Sequence, residues 1–185
     1  MDRRKIVLGA IGGLAFVGLV AVAVIEGHHA ILRDDEYEDD DEGDRTAVAR
    51  ALTFAKVSLQ QGLAASELEG QPISGKFEVD RGNFQLSIYT SKEGRFSEVL
   101  VDYATGKVAK VRPITEGDDL SAAQSQSAAM AKAKIALRAA VDRVLAEANG
   151  SRVVSVIPNL KDGRAIASVL LFKGDDFQIV NQILD

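Results

Sequence analysis

The chain has no cysteine and no tryptophan, and only two histidines and three prolines in 185 residues. Without cysteine there is no disulfide scaffold, no thiolate nucleophile and no thiolate metal ligand. The two histidines are neighbours, His28-His29, close to the start. A Ser-His-Asp arrangement in the later, foldable part is therefore excluded by inventory. G-x-S-x-G, H-E-x-x-H, G-x-G-x-x-G and the phosphate-binding loop are also missing. Aromatic residues make up only 5% of the chain, so the core has to come from Val, Ile, Leu and Ala. No basic cluster interleaved with aromatics occurs, which argues against a nucleic-acid partner.

Hydrophobic residues make up 46% of the chain, enough to bury a core. The net charge of -5 is uneven: residues 34–44 carry nine acids and no base, whereas Arg45–Asp185 has 18 bases and 16 acids. The acidity belongs to one segment, and the remainder is close to neutral.

Three bases, Arg3, Arg4 and Lys5, precede twenty uncharged residues, Ile6–Ile25. At about 1.5 Å per helical residue that run spans a bilayer core of about 30 Å. The basic end would stay cytoplasmic and the rest would face outward. Residues 1–25 are thus expected to be a membrane anchor, or a signal segment cut after Ala21-Val22-Ala23. The first reading gives a single-pass protein with an extracytoplasmic domain; the second gives a protein secreted to the periplasm. Gly9 and Gly13 have a spacing that lets two membrane helices approach, although glycine is common in such runs.

Residues 26–44 read as an acidic, disordered spacer, extended by like-charge repulsion. His28-His29 beside nine carboxylates invites a metal-binding reading. A calcium loop of the helix-loop-helix type fails, because placing its glycine at Gly43 puts Ala49 where the bidentate Glu belongs. No metal, cofactor or catalytic residue is therefore assigned.

From Arg45 the pattern alternates between helical and strand periods. A helix is expected over Arg45–Gln61, with Val48, Leu52, Ala55 and Leu59 in one stripe and Gly62 ending it. Strands follow at Gly75–Asp80, Phe84–Ser91, Arg95–Asp102 and Lys107–Arg112. A longer helix is expected from Leu120 to Ala148, then strands at Arg152–Ile157, Arg164–Phe172 and Phe177–Leu184. Gly82–Ile88 can be laid on Gly163–Val169, and Val101-Asp102 on Leu184-Asp185. This alignment needs a two-residue insertion. The expected fold is α+β: two repeats, 45–113 and 119–185, each one helix packed on an antiparallel sheet. The carboxylate pairs Asp118-Asp119 and Asp175-Asp176 fall at expected turns or caps, where solvated structural roles outweigh acid–base chemistry.

The run Ser97-Glu98-Val99-Leu100-Val101-Asp102-Tyr103-Ala104-Thr105-Gly106-Lys107-Val108 follows the Phe84–Tyr89 strand and the Arg45–Gln61 helix. It resembles the PepSY family, whose domains typically end on a V-D-x-x-T-G-x-V hairpin. The second half is similar to a diverged copy that stops where that turn would begin. The resemblance implies a non-enzymatic binding module outside the cytoplasmic membrane that inhibits or modulates a peptidase in trans. Its partner would be an envelope protein, with the membrane engaged through residues 6–25. The family brings no catalytic residues with it. The alternative is an envelope metal-binding or stress-response accessory protein using the His/acidic juxtamembrane segment. Any binding surface is expected on the sheet face near Tyr89 and Leu100.

Overall fold

A computed structural model describes residues 40–185, with side chains from Arg45 onward. The expected anchor, and the spacer up to residue 39, lie outside the described residues. The elements in order are α1 (Asp40–Leu52), α2 (Leu59–Ser66), β1 (Gln71–Asp80), β2 (Asn83–Lys92), β3 (Arg95–Val101) and β4 (Val108–Ile114). There follow α3 (Gly117–Lys132), α4 (Leu137–Glu147), β5 (Arg152–Lys161), β6 (Arg164–Lys173) and β7 (Asp176–Ile183).

The architecture corrects the expected fold of two repeats, each one helix packed on an antiparallel sheet. All seven strands join one antiparallel sheet in the order β4-β3-β2-β1-β5-β6-β7, and the described residues form four helices. The two groups of strands meet at β1 and β5, whose inner edges would otherwise leave backbone groups unpaired. The seam is short: Gly75 pairs with Val156 and Lys76 with Ser155.

Each expected helix is broken in two. The first stops after Leu52, where Phe54 and Ala55 donate to the Ala51 and Leu52 carbonyls and tighten the last turn. Ser58 then caps a new helix. Its Oγ accepts from the Gln61 N–H at 3.3 Å, and Gln61 Oε1 accepts from the Ser58 N–H at 2.7 Å. Gly62 does not end a helix, as expected; it sits inside α2. A Cβ there would lie 2.6 Å from Leu86 Cδ2, so the glycine lets α2 lie close on β2. The second expected helix breaks at Ala133, whose ψ of 139° is extended. The freed N–H groups of Lys134 and Ile135 both donate to the Leu184 carbonyl, at 2.7 and 3.2 Å.

The strands of the two halves correspond with an offset of 81 residues (163 less 82). Gly82 and Gly163 lie in two-residue turns with both central residues at positive φ, the geometry that matches strand twist. The ladders shift register at Pro72/Ser74 and again at Val153/Ser155. Lys56 and Val57 donate to the Tyr103 carbonyl as Lys134 and Ile135 do to that of Leu184. Tyr103, rather than Val101, is thus the counterpart of Leu184, and the strands need no insertion. The links before the helices are offset by 78 residues (134 less 56), so the three-residue difference falls between helix and strands.

One sheet face carries the core. Leu86, Ile88, Val99, Val156, Ala167 and Val169 are fully buried there, under Leu59 and Leu63 of α2 and Val141 of α4. Arg152 ties the halves together. Its guanidinium donates to the Leu52, Ala55 and Val57 carbonyls, each at 2.8 Å, and lies 5.5 Å from the Phe77 ring. Phe54, in the link after α1, is 70% exposed.

Candidate functional site

The two-residue turns fix the strand registers, and the registers decide which side chains meet. Ile88 faces the core, so its neighbours Ser87 and Tyr89 face the other way. Ser87 lies between Lys76 on β1 and Leu100 on β3, and Tyr89 between Ser74 and Glu98. Glu98 in turn faces Arg112 on β4. Tyr89 and Leu100, singled out from the sequence, thus share one face on adjacent strands.

A polar array crosses this face over four strands. Lys76 Nζ lies 2.6 Å from Glu78 Oε2. Ser87 Oγ is 2.6 Å from Glu78 Oε1 and 3.0 Å from Glu98 Oε1, and Gln85 Nε2 donates to it at 3.1 Å. Arg112 Nη1 donates to Glu98 Oε2 at 3.1 Å. The charges run plus, minus, minus, plus, with a neutral hydroxyl in the middle. That hydroxyl has one hydrogen, so it serves one carboxylate at a time. Lys76 also lies 5.8 Å from the Tyr89 ring. Burial, followed by the negative charges of Glu78 and Glu98, pushes the Tyr89 phenol far above its ordinary value, so it stays neutral.

This arrangement favours recognition over chemistry. Ser87 is fully buried and out of reach of a substrate. Tyr89 does not supply a phenolate. The cations and carboxylates of the array are paired with one another, which leaves a rigid, half-buried patterned surface bordered by Leu100 and Lys110. The signal for this array was present in the sequence, as Lys76-x-Glu78 and Gln85-x-Ser87 on outward positions. It becomes legible only when the turns set which strand residues oppose one another.

The Asp102 turn has a different role. Asp102 Oδ1 accepts from the Ala104 and Thr105 N–H groups at 2.9 and 2.7 Å and from the Thr105 hydroxyl at 2.9 Å. These bonds, those of Thr105 first, hold its carboxyl below the ordinary value. Gly106, at φ 73°, donates to the Asp102 carbonyl at 2.8 Å. The turn places the Tyr103 carbonyl against the link between α1 and α2. Its residues shape the fold and line no cleft.

A cavity of about 40 Å³ lies between Leu63, Met130 and Leu137, near the Glu67–Arg138 pair. It is far smaller than the roughly 300 Å³ and more of ordinary ligand pockets. Asp118 and Asp119 sit in the first turn of α3, and Asp175 and Asp176 at the β6–β7 turn, apart from one another. Among the described residues no three His, Cys, Asp or Glu side chains gather as metal ligands. The His28-His29 segment lies outside the described residues. No helix among the described residues is long and apolar enough to cross a membrane.

The sequence matches no protein-family model, and comparison with curated proteins and with solved structures returns no match.

Proposed function

We propose that this chain is a non-enzymatic PepSY-like binding module, tethered to or exported across the cytoplasmic membrane, that engages an envelope protein in trans. The observation that carries this reading is the Asp102 turn. Asp102, Thr105 and Gly106, which carry the family resemblance, close that turn with hydrogen bonds, as a binding scaffold requires. The polar array around Tyr89 and Leu100 supplies the docking face. A peptidase is the first partner to test, because that is the class the resemblance offers.

The test is site-specific photocrosslinking in envelopes of the source cells. Full-length chains carry the photoreactive residue at Leu100, or at Gln182 as control. The same protein from repeated Leu100 samples, absent with Gln182, supports the proposal. It is then purified and assayed for peptide hydrolysis with and without the chain. Equal labelling at both positions, or none at Leu100, counts against this docking face.

A further inference from the structure

The two edges of the sheet are unlike. β4 ends one side, and it carries Lys110, Arg112 and Pro113, the residues that discourage strand addition. β7 ends the other side with the sequence Asp-Phe-Gln-Ile-Val-Asn-Gln-Ile, in which the only charge is at the first position and there is no proline. By the 81-residue offset β7 is the counterpart of β3, and β3 is covered by β4. In the first half a strand lies beside this position; in the second half, among the described residues, none does. Ile179 and Ile183 of β7 are 52% and 45% exposed.

The backbone of β7 is set to accept a partner. Leu184 N–H donates to the Ala165 carbonyl, so the even-numbered residues of β7 turn their polar groups toward β6. Antiparallel alternation then directs those of Phe177, Ile179, Asn181 and Ile183 outward. These four side chains share the face that also holds Phe172, Leu170, Ser168 and Ile166 across the ladder.

On the face turned away from the helices Ile179 and Ile183 flank Asn181 evenly, one on each side. Turned on a two-fold axis through Asn181, the strand sets Ile179 opposite the partner subunit's Ile183, and Ile183 opposite the partner subunit's Ile179. The outward backbone groups of both copies then meet as hydrogen-bonded pairs, and the two Asn181 amides face each other. A contact between β7 and the β4 edge of another copy would instead be head-to-tail and open-ended, and β4 is blocked by Pro113.

We infer that β7 is a self-association edge, pairing antiparallel with β7 of a second copy about Asn181 to give one continuous sheet. This inference does not depend on the PepSY reading or on the polar array.

The absence of cysteine allows a direct test on the full chain in mild detergent. Asn181→Cys places two thiols across the two-fold axis, and Lys110→Cys places one on the opposite edge. Under mild oxidation Asn181→Cys is expected to run at twice the 19.7 kDa chain mass on a non-reducing gel, and Lys110→Cys at the single mass. Adding Ile179→Lys is expected to reduce the crosslinked species at least tenfold. Sedimentation of the unsubstituted chain is the second measurement, with a concentration-dependent dimer expected and a monomer for Ile179→Lys. Equal crosslinking at both positions, crosslinking unchanged by Ile179→Lys, or an unsubstituted chain that stays monomeric across the micromolar range overturns the inference. The last result is also what would be seen if β7 takes a strand from a different protein.

Discussion

The two halves place the same backbone under different chemistry. At matching positions on the face away from α2, the first half has Lys76, Glu78, Gln85, Ser87, Tyr89 and Glu98. The second has Ile157, Asn159, Ile166, Ser168, Leu170 and Ile179. Only the central serine is kept. Ser87 bridges two carboxylates, whereas Ser168 accepts from Asn159 at 3.2 Å and donates to Asn181 at 2.9 Å. The core faces stay alike, Leu86 and Ile88 against Ala167 and Val169, because both must fit under a helix. One unit can therefore present a charged, patterned surface and the other an apolar one with no change of fold. The core fixes the shape, and the opposite face is free to differ.

The largest test of this comparison is at the joint between the halves. Arg152 satisfies three carbonyls left open by the end of α1, and its counterpart Gln71 makes no such clamp. Burial holds the Arg152 guanidinium below its ordinary value, yet it stays charged. Arg152→Met should cost about 3 kcal/mol in denaturant unfolding, and Gln71→Met under about 0.5 kcal/mol. Equal losses would show that the clamp is not what distinguishes the halves.

The two serines come next. Ser87→Ala leaves Glu78 and Glu98 without their shared donor and should cost about 2 kcal/mol. Ser168→Ala leaves only amides, which find water, and should cost under about 1 kcal/mol. A reversed order in thermal melts would mean that the carboxylates repack without penalty.

The helix starts differ in the same way. α2 has the Ser58–Gln61 capping box, whereas α4 begins at Ala136 with no side-chain cap. Ser58→Ala should destabilise by about 1 kcal/mol and Ala136→Ser should stabilise by up to about 1 kcal/mol. Both are read from unfolding midpoints, and no gain at Ala136 would show that the Leu184 carbonyl alone settles that helix start.

The smallest effect is on the acid limb. Asp102 has a lowered folded-state pKa, so its contribution is complete above the ordinary value of 3.8 and is lost as pH falls through the lower folded value. Asp102→Asn should therefore lower stability in the neutral range and flatten its decline below pH 3.8, so that variant and parent converge in acid. A variant that loses stability evenly at all pH values would assign the turn to shape alone.

The strands were legible from the sequence because alternation and turn residues are local signals. Arg81-Gly82, Glu93-Gly94 and Asp162-Gly163 each marked a hairpin, and each adopts two positive φ angles. The first helix break was also written in the chain, as Ser58 followed by Gln61, but the apolar stripe through Val48, Leu52, Ala55 and Leu59 masks it. The second break has no local signal. Ala-Lys-Ala-Lys-Ile-Ala-Leu favours helix, and only the Leu184 carbonyl, far along the chain, stops it. That the joint runs between β1 and β5 was illegible for a related reason: a seam of two backbone pairs and the few side-chain bonds across it have no sequence signature. The polar array needed registers that only the assembled hairpins supply.

The seam between β1 and β5 is two residue pairs wide, while the neighbouring ladders run along most of each strand. A long ladder spreads its hydrogen bonds over many residues, so one substitution changes it little unless it brings in proline or a like charge. A joint made mostly of side chains, Arg152 on the Leu52, Ala55 and Val57 carbonyls, Ser74 on Gln126 and Arg138 near Glu67, is open to substitution. The angle at which the two surfaces are offered to a partner is thus heritable separately from the surfaces themselves. Single substitutions can retune it while each half keeps its own ladder, core and turns.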